Sequence, residues 1–95
     1  MDPRVKPLPV LMRRDEVIAL KRAVVHSGKS EATIRRWCKA HGIARQSGPA
    51  APLEISLLAL EMVLHADLEA LELLRNGERS NPIVRRYVDH LGLPG

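Results

Sequence analysis

Arg35, Arg36 and Lys39 are the residues whose type and spacing promise chemistry. They lie in the run SEATIRRWCKAHG, from Ser30 to Gly42. At helical spacing Ile34, Trp37, Cys38 and His41 share one face, and the three cations lie with Ala32 on or near the other. The chemistry of such a cationic face is neutralisation of a polyanion. Trp37 could stack on a base, but its neighbours on the apolar face make it a core residue. Cys38 and His41 are three apart and could share a metal. A zinc site takes about four ligands, however, and His26, His65 and His90 show no matching spacing. No metal and no cofactor are therefore expected, and Cys38 reads as a buried free thiol. The chain has no glycine-rich phosphate loop and no supported Ser/His/Asp grouping. The acidic residues between 54 and 78 read as solvated faces among leucines. An enzyme is not expected.

The elements that must position the cations are punctuated clearly. Ser30 is a good N-cap and Gly42 a good C′ residue for the basic helix. A first helix is predicted over Arg13 to Ser27, with Val17, Leu20 and Val24 as its stripe, widened by Ile18 and Val25. Lys21 and Arg22 would face outward, and Asp15 and Glu16 would sit in its first turn. Gly28 ends it. Helix, short glycine-containing turn and basic helix are the plan of a helix-turn-helix DNA reader. Ile43-Ala44-Arg45-Gln46 and Leu53-Glu54-Ile55 are predicted as two short strands joined by SGPAAP, a two-stranded wing. Arg45 and Gln46 are the long polar side chains there that could reach phosphate.

Ser56 is the next predicted N-cap. Between Leu57 and Leu74, 13 of 18 residues are apolar, more than a one-sided stripe needs. The segment is either the centre of the core or in part an interface between copies. A break at His65-Ala66-Asp67, with Asp67 capping, divides it into two helices. Asn81 and Pro82 open a last helix that Gly92 closes. Residues 1–12, with Pro3, Pro7 and Pro9, are expected to be a flexible basic arm carrying Arg4 and Lys6. Residues 13–93 then form a single domain.

The chain has 95 residues, one cysteine, one Trp, one Tyr and no Phe, so the core must be aliphatic and no intrachain disulfide can form. The net charge of +4 is unevenly spread. Residues 1–48 hold 11 Lys/Arg against 4 Asp/Glu, and residues 49–95 hold 4 against 7. A basic half joined to an acidic half suggests a polyanion partner and allows head-to-tail attraction between copies. No signal peptide or membrane span is evident, so a cytoplasmic, nucleoid-associated protein is expected.

The run from Gly28 to Cys38, followed by His41-Gly42-Ile43, resembles the helix-turn-helix of the MerR-like winged-helix superfamily. It is most similar to small bacterial excisionases, among them recombination directionality factors of mobile elements. The resemblance extends over roughly residues 13–93 and includes Ser56 to Leu64 and Gly77 to Leu93. It implies a mainly α fold: a winged helix-turn-helix with a short two-stranded β wing and additional C-terminal helices. It also implies that the basic helix enters the major groove of double-stranded DNA. The DNA-binding set is then Ser30, Thr33, Arg35, Arg36 and Lys39, with Arg45 and Gln46 on the wing. Where many relatives carry a basic or aromatic wing residue, this chain has Gly-Pro-Ala-Ala-Pro. Excisionases of this kind bind adjacent sites, bend DNA and direct a tyrosine recombinase (integrase) towards excision. A small regulator without an effector domain and a helical interaction adaptor are the alternative expectations.

Overall fold

The computed structural model describes residues 7–95. Among the described residues it contains five α-helices and one three-stranded antiparallel sheet, so the fold is mainly helical. A 3₁₀ turn, Arg14–Glu16, leads into β1 (Val17–Ala19) and α1 (Leu20–Ser27). Next come α2 (Glu31–His41), β2 (Ala44–Arg45), β3 (Glu54–Ser56) and α3 (Leu57–Leu64). The chain closes with α4 (Leu68–Arg75) and α5 (Pro82–Leu91).

The helix predicted over Arg13 to Ser27 is corrected. Its first half is a 3₁₀ turn and a strand, and only Leu20–Ser27 is α-helical. Two forces override the helical pattern. Val17 and Ile18 are β-branched and pair with β3, in the register Val17↔Ser56, Ile18↔Ile55 and Ala19↔Glu54. Glu16 is drawn inward to Arg79 instead of facing solvent at a helix start. The period of the helix therefore restarts at Leu20. Ala23 is its buried residue, while Val25, expected in the stripe, is 79% exposed.

The two strands predicted around SGPAAP form, but as part of a larger sheet. β3 is central, with β2 on one side (Ala44↔Ile55, Arg45↔Glu54) and β1 on the other. Ile55 in the middle is fully buried. Ser56 ends β3 and at once caps α3, its hydroxyl accepting from the Ala59 N–H at 3.1 Å. No loop intervenes between the sheet and the core helix.

Most of the crowded leucines pack in or against the core, while Leu68 is exposed. In α3, Leu58, Ala59, Leu60, Met62 and Val63 are all buried, as expected of a helix apolar on every side. α1, α4, α5 and β3 pack around it. The break at His65–Asp67 forms as predicted, and Asp67 accepts from the Ala70 N–H at 3.1 Å to start α4. Asn81 caps α5 with Pro82 in its first turn, and Gly92 ends it.

The described part of the expected arm, residues 7–12, is anchored at Val10, while Leu8 and Leu11 are exposed. Val10 is buried and its N–H donates to the Gly42 carbonyl at 2.9 Å. Arg75 ties this strap to α2: its guanidinium donates to Leu8 O and, at 2.7 Å, to His41 O. A cation on the last carbonyls of α2 also complements the helix dipole. The expected contributions of Arg4 and Lys6 lie outside the described residues. No helix among the described residues is long and apolar enough to cross a membrane.

Candidate nucleic-acid interface

α2 owes its position to both ends. Ser30 Oγ accepts from the Thr33 N–H at 3.2 Å, and its hydroxyl also lies 3.0 Å from Thr33 Oγ1, on which it donates. Gly42 takes a left-handed φ of 64° and donates to Cys38 O. There a β-carbon would come within 3.1 Å of Leu8 O, so both conformation and space favour glycine. A three-residue link, Gly28-Lys29-Ser30, separates α1 from α2, with Gly28 at φ 71°. The apolar face of α2 turns inward: Ile34 is fully buried, and Trp37 and Cys38 are half-buried against the core.

The outward face carries the cations. Arg35, Arg36, Lys39, Arg45 and Gln46 line one open groove of about 580 Å³ between α2 and the β2–β3 hairpin, with Cys38, Ala44 and Leu53 as its floor. Five of the seven residues named from the sequence thus converge on one surface. Ser30 and Thr33 do not line it: they stand at the N-terminal end of α2, and their hydroxyls are engaged with each other in the cap. Arg35 is held by Glu31 at 3.2 Å and Arg45 by Glu54 at 3.3 Å. Both pairs are exposed, and such pairs contribute about 0–1 kcal/mol, so a phosphate can displace them. Gln46 Nε2 donates to Ala51 O at 2.7 Å, which braces the hairpin loop. Arg36 and Lys39 are exposed and make no ion pair with a described residue. They are the cations most ready for an external anion.

Burial pushes the Cys38 thiol up to about 11, against a smaller opposing pull from Arg35. The thiol therefore stays protonated and unreactive near neutral pH. His41 is held below its ordinary value by burial and by the Arg75 charge, which outweigh Glu72.

A second cluster escaped the sequence reading. Glu61 lies in the middle of α3, is only 7% exposed, and is not the solvated residue expected from its neighbourhood. Three imidazoles reach it: His26 from α1, His65 from the C-terminus of α3 and His90 from α5. Burial raises the Glu61 carboxyl, but hydrogen bonds from His26, His65 and His90 and the charge of His26 hold it below the usual carboxylate range. The i, i+4 spacing of Glu61 and His65 was the available local signal. Nothing local ties His26 or His90 to it.

No family model, curated protein or solved structure matches this chain.

Proposed function

We propose that this chain binds double-stranded DNA as a winged helix-turn-helix protein, with α2 in the major groove and the β2–β3 hairpin against the backbone. The observation that carries this reading is the convergence of Arg35, Arg36, Lys39, Arg45 and Gln46 on one groove. The three-residue glycine-containing link between α1 and α2 supports it, as does a hairpin directly after α2. Within that function, the resemblance of Gly28 to Ile43 favours an excisionase: a non-catalytic factor that bends attachment-site DNA and directs a tyrosine recombinase. A transcriptional regulator would use the same surface. The adaptor reading has less to draw on, because Leu58, Leu60, Leu71 and Leu74 are buried in the chain's own core, although Leu68 is exposed.

Replacing Arg36 with Ala tests the reading at its centre. Loss of a bidentate Arg–guanine contact costs about 1–3 kcal/mol and relaxes selectivity, whereas loss of a phosphate contact weakens all duplexes alike. Affinity for specific and random duplexes distinguishes these outcomes. An Arg36→Ala chain that keeps its fold and parental affinity for both would refute α2 as the reader. A footprint on the attachment region of a neighbouring mobile element separates excisionase from regulator.

A further inference from the structure

We propose that Glu61, His65 and His90 form a binding site for a zinc-type divalent transition metal, with His26 orienting the carboxylate from behind.

The geometry carries the proposal. His65 Nε2 and His90 Nε2 lie 3.2 and 3.3 Å from the same oxygen, Glu61 Oε1. With metal–ligand bonds of about 2.0–2.1 Å, neighbouring donors of a tetrahedral zinc site stand about 3.3 Å apart. Two edges of that tetrahedron are thus present. All three donor atoms lie within 4.8 Å of one another, so closing the third edge takes an approach of at most about 1.5 Å between the two imidazoles. Both rings are free to make it, with side chains 58% and 62% exposed. The carboxylate is the fixed member: it is buried in α3, and His26 Nε2 holds its other oxygen at 2.7 Å. A histidine that orients a ligating carboxylate is a familiar outer-sphere device.

The donor set selects the metal. Two imidazoles and one carboxylate suit zinc and its late first-row neighbours and are a poor site for calcium or magnesium. With three protein donors, two of them imidazoles on an open cleft, the fourth position is left to water. The cleft beside His65 and His90 is also lined by Asp67, Arg86 and Tyr87. Asp67 is engaged by the Tyr87 hydroxyl at 2.7 Å and by the Ala70 N–H, and so stays outside the ligand set. Bound metal would join α3 to α5 directly and α1 through His26.

Calorimetric titration of the chelator-stripped full chain with zinc chloride, near neutral pH in a non-coordinating buffer, tests the site. One ion per chain is expected. Exchange for cobalt(II) should give the visible absorption of a four-coordinate centre. His65→Ala and His90→Ala, each removing an exposed ring, should weaken binding at least about tenfold, and His26→Ala should do so while preserving the stoichiometry. Cys38→Ser should change nothing. Cobalt(II) also gives a readout without variants, because the ring protons of His65 and His90 should shift strongly and those of His41 little. Absence of zinc uptake, indifference to both histidine substitutions, or loss of binding in Cys38→Ser would overturn the proposal.

Discussion

Arg79 and Glu16 join the turn before β1 to the segment before α5. The guanidinium grips the carboxylate at both oxygens, at 2.6 and 2.8 Å, across 63 residues of sequence. Glu16 is 1% exposed, and its other contact is the Arg13 N–H at 3.3 Å. Breaking a buried pair leaves an uncompensated charge, so Arg79→Ala should cost about 3–5 kcal/mol in denaturant unfolding. The pH dependence carries the signature. Burial raises the Glu16 carboxyl, but Arg79, the Arg13 amide and both positive charges outweigh it and hold it below 4.5. A depressed folded value means stability that is full above the unfolded pKa and is lost as pH falls through the folded one. The parent should therefore weaken below about pH 4.5. In Arg79→Ala burial is opposed only by the Arg13 amide and charge, so Glu16 titrates higher than in the parent and its protonation relieves the fold. The stability gap between parent and variant should narrow on acidification; a constant gap from pH 7 to pH 4 would mean that the pair is not the cause.

At the scale of the element, α2 is fixed by its back and by its two ends. Trp37 is half-buried against the core, so Trp37→Ala should lower stability by about 1.5–3 kcal/mol, the value of burying a large apolar side chain. On the proposed function it should leave DNA affinity per folded molecule unchanged. A variant that melts like the parent but loses DNA would make the indole part of the interface. At Gly42 a side chain meets both positive φ and the strap, so Gly42→Ala should cost at least about 1–2 kcal/mol by thermal melting. These ends also show what was legible in the sequence. Ser30, Gly42, Ser56, Asp67, Asn81 and Gly92 act through their immediate neighbours, and each was read correctly from local chemistry. Val17 and Ile18 were misplaced because their partner is β3, nearly 40 residues on, and pairing at that distance leaves no local mark. Glu61 was misread for the same reason: two of its three histidines approach from other helices. The basic groove was recoverable because α2 and the adjoining β2 carry nearly all its residues in one stretch, 35–46.

The whole molecule measures 35 × 32 × 23 Å over the described residues. Its longest dimension equals about one turn of B-form DNA, about 34–36 Å. If copies line up along a duplex, each should claim about one turn, or about 10 base pairs. With most leucines of 57–74 packed in or against the core, the charge split between residues 1–48 and 49–95 is the stronger motive for contact between copies. Such unlike surfaces do not close on themselves. Mass measurements on duplexes lengthened one turn at a time should add one copy per step, and a fixed plateau of two would mean a symmetric dimer. On the proposed function, the four groove cations Arg35, Arg36, Lys39 and Arg45 should set the salt response: log affinity against log salt should fall with a slope of about −4, and a flat titration would rule out the phosphate contacts.

The position of β3 in the middle of the sheet has a consequence for synthesis. When α1 and α2 leave the ribosome, the strand that β1 and β2 both need has not been made. Glu16 waits longer still, because Arg79 follows 63 residues later. The basic half is thus complete in sequence long before it can be held in shape, and contacts so distant in the chain form late. A nascent chain halted after Asn76 should expose its cations on an unfinished scaffold and remain open to protease, whereas one extended past Gly92 should resist. On the proposed function, the DNA-reading groove of the basic half should reach its final shape only once the acidic half, with Arg79, has been made.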